Sequence, residues 1–480
     1  MAEIPKKREH AAHSSLRRDA GPVRAEYLIF FVGAIFCILA FAHPDIVETA
    51  RHGYILIRSS FDGNFLGFFE DVYDRVYGYS YTNAAHYNIL LYLLYAVWEL
   101  PLYLIEKIGG FAFTDLTLSL WCKWLGAGFY FGCGLMTRAL ARRLSCGEES
   151  CRWVPLLFWL NPVSFFTTVV MGQYDSICLF FLLWALVYYL DGKMVPFALV
   201  MGVGMVFKFF PVFLLLPLVL LAEKRILRAA GYLALSLWLY LPTSLLFLGR
   251  TGDAGFFNQL MIERLFTQVF PGGISDASLF LLSLALVCVA ARLYQPADSD
   301  VRNRMAIYLG LVVFGLLFLF VYWHPQWLIL IVPFMILSGL QLRDKTLFAL
   351  MEGIWCAGFF VLSMTLYSRQ LEANLIDGGL IALISGFYFS AVTAAREVGF
   401  YFSLIPYLKE LAPIFFYGPL LAEMLFKLPL GKNTLADRLC GTQRRPFSYR
   451  LACWGIFVGG FGAFWAAPVL FSWLKAMGVL

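Results

Sequence analysis

Two charged residues stand where an apolar chain has little reason to keep them. Asp175 closes Gly172-Gln173-Tyr174-Asp175, and Lys208 sits inside Phe207-Lys208-Phe209-Phe210-Pro211. Ionisable groups at membrane depth are costly and mark functional sites by default. Hemmed in by phenylalanines, Lys208 has no short route to the interface, so its ammonium must meet an anion from protein or substrate, phosphate being one candidate. Further polar residues recur near the ends of other apolar runs: Asp45 and Glu48 after the first, His43, His52 and His86 in the same loop, and His324 with Gln326 in Trp323-His324-Pro325-Gln326-Trp327. A carboxylate at the mouth of a membrane cavity that holds a cation suits transfer from a lipid phosphate. The carboxylate takes the proton of an acceptor hydroxyl, and the cation stabilises the departing phosphate.

Each of these residues also has an ordinary reading. Asp45 can mark a helix end, and His324 can anchor an aromatic belt at the interface. Gln173 and Asp175 can cap a helix that begins at Ser176. Tyr73, Tyr77, Tyr79, Tyr81 and Tyr87 fit an interfacial belt before they fit sugar stacking.

The elements that must position these groups are membrane helices. The 480 residues are 61% hydrophobic and only 14% charged, with mean hydropathy +0.74, and apolar runs of spanning length recur throughout. That excludes a soluble globule and predicts an all-α polytopic membrane protein of about 11 to 14 transmembrane or half-spanning helices. The net charge of +6 comes from short basic clusters between apolar runs, the pattern that orients helices in a bilayer, and implies no nucleic-acid surface. Most of the ten cysteines lie in apolar helices and read as small core residues; Cys146 and Cys151 lack the partners of a zinc site.

Residues 1–26 read as a basic cytoplasmic tail, followed by a first helix over 27–42. Ala40-Phe41-Ala42 resembles a cleavage site, but the long tail favours a retained anchor. The first external loop, 43–115, alternates apolar and charged residues as amphipathic interfacial helices do. Within it, 89–105 is expected to be partly inserted, or to pair with a short crossing near Phe111. Spans follow over 116–136, 154–171 and 176–190. Residues 195–207 and 211–221 are each too short to span, which predicts two half-helices meeting at Lys208 beside a cavity. Later spans fall at 229–248, 278–291, 305–322, 328–340, 347–366, 378–392 and 451–471, with a bent pair over 398–428. The basic clusters place the N-terminus in the cytoplasm and the polar residues named above on the opposite face. Residues 27–248 form the expected catalytic module and 249–480 a more variable membrane module.

Asn161-Pro162, Gly172-Gln173-Tyr174-Asp175, Phe207-Lys208-Phe209-Phe210-Pro211 and Trp323-His324-Pro325-Gln326-Trp327 together resemble GT-C-fold glycosyltransferases, in particular bacterial relatives of the GPI mannosyltransferases. The resemblance is strongest over about 116–228 and returns at His324. It implies a polyprenyl-phosphate-linked sugar donor, a glycan or lipid acceptor, inversion at the anomeric carbon, and an integral protein of a bacterial inner or plasma membrane. It also implies a base carboxylate just after the first helix. Asp45, in His43-Pro44-Asp45-Ile46-Val47-Glu48, stands there and partly matches the His-Pro-Asp-Glu pattern of some lumenal mannosyltransferases; Glu48 is the reserve. Lys208 is then expected to bind the donor phosphate, with Gln173, Tyr174, Asp175, His324 and Gln326 shaping the sugar or acceptor site. The paired acids of metal-dependent oligosaccharyltransferases are not evident, so neither metal nor cofactor is expected. The competing readings are a flippase of lipid-linked sugars and a lipid-linked glycan polymerase.

Overall fold

A computed structural model describes residues 21–73, 85–249, 263–270, 276–377, 379–380, 408–439 and 447–460. Most of the N-terminal tail, Tyr77, Tyr79, Tyr81, the expected span over 378–392 and the second half of that over 451–471 lie outside those residues. The described chain is almost wholly helical, with two short antiparallel hairpins pairing 269–270 with 277–278 and 429–430 with 433–434.

The helices run in the order α1 (Arg24–Ala40), α2 (Pro44–Phe61), α3 (Phe68–Val72), α4 (Ile89–Gly109), α5 (Asp115–Arg143), α6 (Glu148–Trp159) and α7 (Pro162–Phe165). A π turn over Phe166–Val170 follows, then α8 (Asp175–Leu190), α9 (Met194–Phe207), α10 (Pro211–Ala222), α11 (Ile226–Ser236) and α12 (Tyr240–Leu246). The rest are α13 (Leu279–Leu293), α14 (Ser299–Phe320), α15 (Val332–Gly339), α16 (Lys345–Asp377), α17 (Leu408–Phe426) and α18 (Leu435–Leu439). Among the described residues three helices are long and apolar enough to cross a membrane, and up to six spans result if each of three bent pairs counts as one. Half-length apolar helices make up most of the remainder, as expected of a polytopic protein with a cavity. On α1, Leu28, Ile29, Val32 and Phe36 form an exposed apolar face, which only lipid would tolerate.

The breaks have local causes. The expected span over 154–171 bends by 45° at Asn161-Pro162. Asn161 Oδ1 caps α7 by accepting from the amides of Val163 and Ser164, and Pro162 takes the first helical position, where its missing N–H costs nothing. The expected span over 229–248 bends by 49° where Trp238 turns out to donate to Leu199 O at 3.0 Å. The stretch 328–340 begins as a 3-10 turn, Pro325–Leu330, before α15. The described part of 398–428 is one helix, α17, that keeps Pro413 and Pro419 inside it, so no bent pair occurs over Leu408–Phe426.

Residues 89–105 also differ from expectation. They belong to a single helix, α4, capped by Asn88 and stopped by left-handed Gly110. Its start adjoins Tyr87, which faces Lys208, and Asp115 just beyond its end pairs with Arg51 of α2 at 2.6 Å. The helix is therefore tied at both ends to the region around α2, with no second short crossing: Tyr103 stacks on Phe61, and a separate apolar cluster joins α2, α3 and α4.

The expected pair of half-helices at Lys208 is present as α9 and α10, with Lys208 between them in extended backbone. Helix direction then places the polar residues at one end of the bundle. α8 leaves Asp175 and ends at Asp191, which Arg143 of α5 grips at 2.7 Å. α9 returns to Lys208, α10 departs again to Lys224, and α14 comes back towards His324. Arg143 and Lys224 thus lie at the far end from Asp175, Lys208 and His324.

Candidate active site

Pro44 fixes the first turn of α2, and His43 is its N-cap, Nδ1 accepting the amide of Asp45 at 3.3 Å. Asp45 is therefore held at the helix N-terminus, where backbone donors favour a carboxylate. Its side chain is 49% exposed, an open carboxylate at the head of an otherwise packed wall. One oxygen accepts from Gln173 Nε2 at 2.9 Å. Crowding by protein works to raise the carboxyl, but His43, the Gln173 amide and the Lys208 charge outweigh it and hold it at about 2.

Gln173 reaches Asp45 because Gly172 turns the chain with φ +81°, a left-handed conformation that favours glycine. The capping reading of this motif fails for both side chains: Gln173 bonds Asp45, and Asp175 gives both oxygens to Lys208 at 2.8 and 2.9 Å. The two charges that looked uncompensated in the sequence compensate each other, and both side chains are buried. The ammonium also lies 4.9 Å from the Tyr174 ring centroid and 5.5 Å from that of Tyr87, a cation held between two aromatic faces. Tyr87, which had an interfacial reading, is thus part of the site.

The third side of the site comes from the turn after α14. His324 is half-buried, Gln326 is buried, and Trp327 packs against both His324 and Phe210 with centroids 5.4 and 4.7 Å apart. Arg264, a residue the sequence gave no reason to single out, places its guanidinium 5.4 Å from the Trp327 centroid and 5.9 Å from that of Tyr322. No carboxylate pairs with it among the described residues. Burial first, then the Arg264 charge, lower His324 to about 4, and Asp45 and Lys208 lie near enough to bear on it too. His324 is therefore neutral at pH 7 and able both to donate and to accept.

The structure thus brings Asp45 onto Gln173, and Asp175 and Tyr174 onto Lys208, the two sets joined through residues 173–175; His324 lies within electrostatic reach of both, and Gln326 is buried in the same turn. The structure does not bring in Glu48, which Arg51 holds at 3.2 Å within the ion-pair cluster that includes Asp115. Nor do His52 and His86 join; His52 packs edge-on to Tyr92, whose hydroxyl accepts the His86 amide. Among the described residues no group of three or more His, Cys, Asp or Glu is arranged to hold a metal ion.

Residues 95–326 match the family model of Glycosyltransferase family 87. The GT-C resemblance carried by the four motifs is thereby supported, and the chain is a membrane glycosyltransferase. The matched segment spans Gln173 through Gln326 and stops short of Asp45. No curated protein and no solved structure matches the chain. As a glycosyltransferase it requires a sugar donor and an acceptor, and the arrangement above offers an ionised carboxylate beside a wall of buried polar and cationic groups.

Proposed function

We propose that the protein is an inverting transferase that moves a sugar from a polyprenyl-phosphate carrier to a glycan or lipid acceptor on the extracytoplasmic face of a bacterial membrane. The observation that carries this reading is the Asp45–Gln173 hydrogen bond, which joins an open, ionised carboxylate to the buried polar wall of the family-87 segment. Asp45 accepts the proton of the acceptor hydroxyl; that oxygen forms the bond to C1 as the C1–O bond to the lipid phosphate breaks, and the phosphate leaves with the electron pair. Entry opposite the departing phosphate inverts the anomeric centre.

Lys208 binds the donor phosphate through its third N–H, since two are committed to Asp175. Asp175 cancels most of its charge, so the net positive potential that draws the anion comes chiefly from Arg264. Neutral His324, Tyr174 and Gln326 contact the sugar or acceptor. The basic loops support the outward face, since they lie at the end of the bundle opposite the site and Lys and Arg favour the cytoplasmic side. The N-terminal tail is then cytoplasmic.

The test is turnover by purified protein in lipid, with a polyprenyl-monophosphate monosaccharide and glycan or lipid acceptors, reading the anomeric configuration of the product. An inverted linkage is expected. Retention, or activity only with an oligosaccharide on a diphosphate carrier, would overturn the proposal.

A further inference from the structure

Lys123 is 1% exposed near the site end of α5, and no carboxylate compensates it among the described residues. A lysine so placed in a spanning helix has to be explained. Its ammonium donates to Cys37 O at 3.3 Å, to Val170 O at 3.2 Å and to Phe41 O, so three donors meet three carbonyls and none remains. These acceptors are the last turn and C-cap of α1 and the last residue of the π turn that ends the broken α6–α7 span. Helix C-termini present unpaired carbonyls and a partial negative charge. The charge is therefore met by two helix ends in place of a counter-ion.

Both ends lead straight into the site. Phe41 is followed, through Ala42, His43 and Pro44, by Asp45; Val170 is followed, through Met171 and Gly172, by Gln173. A direct tie, the His43 amide to Met171 O at 3.0 Å, runs between the same two segments. Gly172 lies against the lysine stem: a Cβ there would come within 2.7 Å of Lys123 Cγ, on a backbone already at φ +81°. One ammonium thus fixes the distance between the segment that delivers Asp45 and the turn that delivers Gln173.

We infer that Lys123 is a positioning residue for the transferase centre, its ammonium pinning the end of α1 to the end of the broken span so that Asp45 stays in register with Gln173. This rests on the reading of Asp45 as the base. Lys123 touches neither substrate nor reacting atoms; its effect passes through the backbone at 41–45 and 170–173. Misplacement of a reacting group by about 1 Å can cost on the order of 10²-fold in rate.

The experiment compares Lys123→Met, Gly172→Ala and Asp45→Asn in lipid, normalised to folded protein, reading kcat, donor KM and the pH profile of kcat/KM. The expected result is that Lys123→Met lowers kcat about 10- to 100-fold with donor KM changed less than about threefold. Its acid limb should also move to higher pH, because a carboxylate that has lost its Gln173 donor is easier to protonate. Gly172→Ala keeps the charge and displaces the stem, so it gives the same pattern and serves if Lys123→Met does not fold. Unchanged kcat in either folded variant, or a loss of kcat with an unmoved acid limb, overturns the inference while leaving an inactive Asp45→Asn, and with it the base reading, intact. Full turnover by Asp45→Asn overturns both.

Discussion

Asp45 is more acidic than a general base ordinarily is, since a base works best with a pKa near the working pH. The free protein holds it at about 2 by His43, Gln173 and Lys208, so it is ionised over the whole neutral range. On the proposed reading, a bound lipid-phosphate donor brings negative charge that acts the other way, raising the carboxyl towards a useful basicity when acceptor is present. Two outcomes follow at this scale. The acid limb of kcat, which reports the substrate-bound state, should lie at higher pH than that of kcat/KM, which reports the free protein. Coincident limbs would remove the argument. Replacing Asp45 with Asn should lower kcat about 10²- to 10⁴-fold with little change in donor KM, measured by initial rates in lipid.

The Lys208–Asp175 pair tests a different property. Breaking a buried pair by removing one partner leaves an uncompensated charge and costs about 3–5 kcal/mol. Asp175→Asn should therefore lower thermal stability strongly, and adding Lys208→Met should restore part of it while activity stays lost. If the double variant is no more stable than the single one, the pair is not the linkage that its 2.8 Å geometry describes. Both residues stood out in the sequence as misplaced charges; what the sequence could not convey is that each is the other's counter-ion. Thirty-three positions separate them, and only the return of α9 brings them together. Arg264 was invisible for a related reason: a single arginine next to Glu263 between apolar residues carries no mark of its own, and its meaning comes from Trp327 and Tyr322.

At the scale of elements, the interruptions are the informative feature. The short runs on either side of Lys208 were legible because their length falls below a bilayer crossing, and length is a property sequence states directly. Asn161-Pro162 was legible as a motif but not as a 45° break, since the same dipeptide can end a helix without bending a span. Its purpose is partly structural: besides capping α7, Asn161 Nδ2 donates to Glu352 Oε1 at 2.7 Å, joining the broken span to α16. Asn161→Ala should lose the cap, about 1 kcal/mol, and also leave a buried carboxyl oxygen without its donor, about 1–3 kcal/mol more. Denaturant or thermal unfolding in detergent would read this; a loss no larger than that of an ordinary surface change would show that the break is held by packing alone. In α4, Glu99, Pro101 and Glu106 look like interruptions in sequence, which suggested a second short crossing; instead Glu99 is buried against Gly53 of α2 and the helix continues through Pro101.

For the molecule as a whole, what matters is that helices alternate in direction about a single polar end. Asp45 begins α2, Asp175 begins α8, Lys208 ends α9 and His324 follows α14, so residues spread over most of the chain meet where four helix ends meet. The opposite end carries Arg143 on Asp191, Lys224 on the carbonyls of Ala291 and Arg292, and Arg343, whose guanidinium donates to Asn433 and whose backbone amide donates to Asp437. With basic loops at one end and the carboxylate proposed as base at the other, locating one end tests the proposed side of the chemistry, since Lys and Arg favour the cytoplasmic side. Membrane-impermeant thiol labelling of intact cells can locate both. A cysteine at Asp62, in the turn after α2, should label from outside, whereas one at Lys193, between α8 and α9, should label only after the membrane is opened. Most native cysteines of the described chain are buried; Cys37 in α1 and Cys146 at the basic end are half-buried, and labelling of the protein without the added cysteine gives their background. Labelling in the reverse order would put Asp45 and its donor phosphate on the cytoplasmic side, and the requirement for an outward-facing lipid carrier would fall with it.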